Sequence, residues 1–157
     1  MSRIPAIKEA LAASRHRLNA VFDQVGDRWD EQVYSEGAAW NVKQLATHLA
    51  VSERGLAGQV IGIAEGREVI PADFDLERFN RRSVDKRVEM TIEQIREELA
   101  KARQELLAWV DSITDESILD NEGRHASMNI MSSEAILYQI ADHERAHADD
   151  IAKALGL

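Results

Sequence analysis

Two histidines near the C-terminus, His143 and His147, stand four residues apart in Ile140-Ala141-Asp142-His143-Glu144-Arg145-Ala146-His147. On an α-helix that spacing puts both imidazoles on one face, a turn apart. Ile136, Ile140, His143, His147, Ile151 and Ala154 follow at steps of three or four, so the pair falls in the stripe expected to face the interior. A further histidine, His48, sits among Leu45, Leu49, Ser52, Leu56, Val60 and Ile63, on what reads as the inner face of an earlier helix. A buried imidazole has two ring nitrogens to satisfy, and an unpaired buried polar group costs about 1–3 kcal/mol. A metal would take one nitrogen from each ring, and neighbouring acceptors would hold the others. The residues alone leave two readings open: a metal site, or an interior of hydrogen-bonded histidines.

The chemistry of the metal reading is specific. Three neutral imidazoles leave the charge of a divalent ion uncompensated and a coordination position open, the arrangement of catalytic rather than structural sites. Such an ion lowers the pKa of water or a thiol bound to it. The chain has no cysteine, so any thiol at such a site would have to come from a small molecule. No side chain stands out as an acid or base. Glu144 points about a quarter-turn from His143 and reads as a boundary residue in a surface ion pair. Asn80 and Tyr138 read as a helical polar residue and a structural one, and His125 as loop-exposed. Arg78, Arg81, Arg82, Lys86 and Arg87 form a local basic cluster that reads as a solvated helix face, with an anion site for a cofactor's carboxylates as the alternative. His16 falls off its helical seam and reads as surface.

Helices must position these residues. Ile4, Ile7, Leu11, Ser14, Leu18, Val21 and Val25 alternate steps of three and four, a bundle-type seam over about 3–25. Asn41 with Gln44 forms a capping box, and Trp40 with Leu45 a hydrophobic staple, at the start of a second helix ending near Glu65-Gly66. A charged helical stretch over about 74–88 is out of register with the next seam, which predicts a break near Met90. Thr91 with Gln94 caps a helix carrying Ile92, Ile95, Leu99, Ala102, Leu106, Trp109 and Ile113. Residues 115–129 read as a polar loop with room for one short turn. Ser132 or Ser133 starts the last helix, which Gly156 stops. No strand pattern competes. The fold class is all-α: a four-helix bundle with one extra short helix in the long connection between the second and third long helices. That connection is long enough for a crossover.

Composition narrows the function classes. At 157 residues a single domain spanning 1–157 is expected. The net charge of -9 gives no attraction to nucleic acid or to anionic membrane surfaces. No apolar run approaches the roughly 20 residues that span a bilayer, and charges interrupt any N-terminal signal-like run. With no cysteine, a cytoplasmic location is the expectation.

Trp40-Asn41-Val42-Lys43-Gln44-Leu45-Ala46-Thr47-His48-Leu49 resembles the first motif of the DinB-like, or YfiT-like, metal-binding four-helix bundles. His143-x3-His147-x3-Ile151 resembles their second motif, and Phe74-Asp75-Leu76-Glu77-Arg78-Phe79-Asn80 a segment common among them. The resemblance spans about 3–155. It implies a divalent metal such as zinc or nickel held by His48, His143 and His147, and frequent homodimers. It also implies a small-molecule substrate and a low-molecular-weight thiol as cofactor, since characterised relatives include thiol-dependent S-transferases and mycothiol-dependent maleylpyruvate isomerase. A non-enzymatic, stress-related metal-binding dimer is the alternative.

Overall fold

The computed structural model describes residues 1–157. Its helices are α1 (Ile4–Asp23), α2 (Val42–Ala64), α3 (Leu76–Asp85), α4 (Ile92–Ser112) and α5 (Ser133–Leu155). A 3-10 turn, Glu116–Asp120, and two short strands, β1 (Glu122–Arg124) and β2 (Ile130–Ser132), lie between α4 and α5. The long helices form the expected bundle, with α3 as the extra short helix.

The start signals work as the sequence predicts. Asn41 Oδ1 accepts from the Gln44 amide at 2.8 Å while Gln44 Oε1 accepts from the Asn41 amide at 2.9 Å. Thr91 and Gln94 repeat the exchange on α4, and Ser132 caps α5 through the Ala135 amide. Gly156, at φ 71°, ends α5 in the left-handed region that glycine adopts without steric cost. The break expected near Met90 separates α3 from α4.

Side-chain contacts fix the helix directions. Arg3 reaches Glu134 and Arg17 reaches Asp149, so α1 and α5 run parallel. The pairs Lys43–Val88 and Glu53–Arg103 make α2 and α4 parallel. Ser133 bonds the Val60 carbonyl near the end of α2, so α2 and α5 are antiparallel. The crossover anticipated between α2 and α4 is therefore required. Around the bundle the order is α1, α5, α2, α4, which places α1 diagonal to α2.

The core has two apolar halves. Leu18, Val21, Phe22, Leu45, Ile95 and Ile151 fill one end, and Ile7, Leu11, Val60, Leu106, Leu137 and Ile140 the other. Between them lies a charged layer contributed by all four long helices. Arg103 Nε donates to Glu53 Oε1 at 2.5 Å, Nη2 to Glu144 Oε2 at 2.9 Å, and Nη1 to the Leu11 carbonyl at 2.7 Å. Arg15 donates to Glu144 and to the Leu99 carbonyl, and Ser14 Oγ to Glu144 at 2.7 Å.

Three expectations need correction. Glu144 is 3% exposed, at the centre of that layer and not in a surface ion pair. The interior stripe of α5 runs through Ile140, Ala141, Glu144, Ala148 and Ile151, while Ala154 is exposed. Treating a carboxylate as polar, and so outward, rotated the predicted stripe. Residues 115–129 hold the short turn allowed for, Glu116–Asp120, but also one strand of a hairpin that was not expected. β1 pairs antiparallel with β2, Gly123 opposite Met131. Strands of three residues are too short to show an alternation in sequence. Gly123 is required there, because a Cβ would lie 2.7 Å from Ile63 Cγ1.

Candidate metal centre

His48 projects from the second turn of α2, while His143 and His147 project from α5, which runs the opposite way. The last two flank the α5 core stripe instead of lying within it, so they turn toward a cavity between α2, α5, α3 and the β1–β2 hairpin. His48 Nε2 lies 3.4 Å from His143 Nε2, and His147 Nε2 lies 3.0 Å from His143 Nε2. One ligand atom from each falls within 4.8 Å of the others. A tetrahedral zinc with bonds of about 2.0–2.1 Å would space its nitrogens about 3.3 Å apart. The donor set and spacing therefore fit a divalent ion on three imidazoles.

The surroundings favour the neutral, lone-pair-bearing form of each ring. Burial, with the neighbouring His143 and His147, pushes His48 down to about 3. Burial and His147 push His143 down to about 4. Burial also lowers His147, with Asp150 opposing. Trp40 covers His48 with ring centroids 4.7 Å apart.

Tyr34, from the connection between α1 and α2, fixes the third ring. Its hydroxyl donates to Asp150 and lies 2.9 Å from His147 Nδ1. Since the hydroxyl proton goes to the carboxylate, Nδ1 is the donor in that contact. That leaves Nε2 with its lone pair toward the other histidines. Outer partners of this kind orient ligating imidazoles and raise their basicity.

The cavity measures about 690 Å³. Val51, Leu56, Val69, Ile70, Phe74, Leu76 and Phe79 give it an apolar wall, with Ser52, Gln59, Asn80, Ser127 and Gln139 as neutral polar points. Asn80, read as a helical polar residue, lines it. His125 is not loop-exposed: it is 5% exposed and lines the cavity. The hairpin carries it there, pinned by the Ala126 amide donating to Gln59 Oε1 at 3.0 Å. The Ser127 amide donates to His125 Nδ1, so the ring proton of the neutral form sits on Nε2. Neither His125 Nε2 nor Gln139 Oε1 closes a hydrogen bond. Tyr138 packs on the bundle core instead. His16 is exposed. Arg81 pairs with Glu77 on the outer face of α3, and Arg78, Arg82 and Lys86 rim a shallow depression that shares Phe74 and Phe79 with the cavity.

Sequence reasoning passed over Tyr34, Gln59, Gln139 and Asp150. Asp150 had a signal, since it follows His147 by three residues on one helix face. Tyr34 had none, because its place depends on how an irregular connection folds back on α5.

A profile of the DinB superfamily matches residues 10–151. The solved structure of YfiT from Bacillus subtilis, described as a probable metal-dependent hydrolase with an unusual four-helix bundle topology, is similar with a TM-score of 0.67 at 16% identity. The match covers 99% of this chain and 90% of YfiT. No curated protein sequence matches.

Proposed function

This chain belongs to the DinB superfamily, and on that premise we propose that it is a metal-dependent enzyme. His48, His143 and His147 hold a divalent ion such as zinc or nickel, and a low-molecular-weight thiol is the nucleophile. The activity is that of a thiol S-transferase or a related isomerase. The observation that carries this reading is the meeting of three imidazole Nε2 atoms beside a 690 Å³ cavity whose lining contains no carboxylate, lysine or arginine.

The bound ion supplies a Lewis acid that favours ionisation of a coordinated thiol or water. The chain's own groups do the rest. Burial keeps the imidazoles unprotonated, Tyr34 and Asp150 hold the His147 ring, and Trp40 with the apolar wall keeps solvent from His48. No lining carboxylate is placed to take a proton from water. A thiol, with a pKa of about 8.5, ionises near neutrality without such a base. The ion lowers either group, and the thiol starts from the lower pKa, which favours it. Carboxylates of a thiol cofactor would lie outside the cavity, at the rim with Arg78, Arg82 and Lys86. Hydrolysis is the second reading, supported by the description of YfiT.

Protein purified without a histidine tag and saturated with zinc or nickel tests this. With glutathione, bacillithiol or mycothiol and monochlorobimane it should form the conjugate, and His143→Ala should abolish the reaction. Hydrolysis of a nitrophenyl ester without thiol, and no conjugation, would favour the second reading. Neither activity on a fully loaded protein would leave a non-enzymatic metal-binding module. Less than about a tenth of an equivalent of bound metal would reject the centre itself.

A further inference from the structure

The chain carries 19 Lys and Arg and 28 Asp and Glu, 30% of its residues. A lining of 20 residues drawn at that frequency would hold about six charges, yet none of these four residue types lines the cavity. The only ionisable side chains in the lining are four histidines, His48, His125, His143 and His147. α3 shows the same segregation within ten residues: Leu76, Phe79 and Asn80 face the cavity while Arg78 and Arg82 stay outside. A charged group on a molecule inside would therefore find no oppositely charged side chain, only neutral polar atoms, which makes its burial expensive. The place where negative charge would gain most is at the three histidines, once an ion is bound. The volume suits a molecule of drug-like size, since such pockets run about 300–1,000 Å³.

We infer that the cavity selects a substrate with a metal-binding head at His48, His143 and His147 and an uncharged, apolar body, ring-sized or larger, packed against Leu56, Val69, Phe74 and Phe79. This rests on the proposed metal centre for the head group alone. The body's selectivity follows from the wall. A second charge on the body is rejected, so a compact dicarboxylate is a poor ligand.

The test uses rigid probes that share one head. Benzohydroxamate and 4-carboxybenzohydroxamate are titrated into zinc-loaded protein by calorimetry. Benzohydroxamate should bind at least about tenfold more tightly, a cautious figure for burying one unpaired charge. In Val51→Lys, which adds a cation to the wall at a half-exposed position of α2, the preference should shrink or reverse. Equal or tighter binding of the carboxylated probe to the parent protein overturns the inference. So does an unchanged preference in Val51→Lys that folds with the parent's circular dichroism. Benzamide and 4-carboxybenzamide repeat the comparison on chelator-treated protein. If the protein takes no zinc, the metal centre fails, and this pair decides the inference by itself. A preference for benzamide supports it, and no preference or no binding overturns it.

Discussion

Replacing Arg103 by Met tests the charged layer that crosses the bundle. Arg103 makes hydrogen bonds to Glu53, Glu144 and the Leu11 carbonyl from a side chain only 6% exposed. Without it, the two carboxylates share Arg15, which bonds Glu144 at 2.5 Å but stands 3.7 Å from Glu53. One buried negative charge is then uncompensated. Breaking a buried ion pair from one side costs about 3–5 kcal/mol. For a chain of this size about 1 kcal/mol corresponds to about 2–4 °C in Tm, so a fall of about 6–20 °C is expected. Acid should reduce the deficit. Burial pushes Glu144 up, and Arg103, Arg15 and Ser14 together hold it below its ordinary value. A depressed carboxylate contributes stability above its unfolded pKa and loses it as pH falls through the folded one. In the variant Arg103 no longer opposes burial, so Glu144 protonates at higher pH and the charge is neutralised sooner. The difference in urea-unfolding free energy between parent and variant should therefore be smaller at pH 5 than at pH 7. Adding Glu144→Gln should recover part of the loss. A deficit below about 1 kcal/mol, or one equal at the two pH values, would refute an electrostatically coupled layer.

Removing the Tyr34 hydroxyl with Tyr34→Phe should weaken zinc binding about 10–100-fold in a chelator competition, with little change in fold; unchanged affinity would show that His147 needs no such anchor. Chelator-treated protein should lose stability as pH drops below about 6.5, because unfolded histidines take up protons there that the folded His48 and His143, lowered to about 3 and about 4, refuse. Denaturant melts at pH 7 and pH 5 would contradict this if the acid value were higher. Gly62→Ala would drive a Cβ into Val69 Cγ1, displacing the strand of chain that walls the cavity. A loss of about 1–3 kcal/mol is expected from such overpacking, and a thermal melt matching the parent would show that Val69 yields freely.

The bundle was legible because its signals are local. The seam of α1 names Ile4, Ile7, Leu11, Ser14, Leu18, Val21 and Val25, all buried except the partly exposed Ile4; the caps at Asn41 and Thr91 form as written, and of Ser132 and Ser133 it is Ser132 that caps α5. The three histidines were legible for the same reason, since two helix faces place them. Glu144 was misread because burial of a carboxylate depends on Arg15 and Arg103, partners 129 and 41 residues away that no helical period reveals. His125 was misread because its neighbours are polar, while its burial comes from the hairpin folding against Gln59. Asp150 apart, the missed features are thus those decided by contacts between distant segments, where propensity carries no information.

The diagonal placement of α1 against α2 bears on how the molecule assembles. Neither α1 with α2 nor α4 with α5 forms a packed hairpin, and α1 finds its main partner in α5, at the far end of the chain. For an all-helical protein this is an unusually non-local contact map, and rates fall as sequence separation of contacts rises. A nascent chain that has emerged only through α4 still lacks the helix that covers α1 and completes both apolar halves. Two of the three imidazoles also arrive with that last helix. Folding of the bundle and assembly of its histidine cluster are therefore one event, set by the docking of α5.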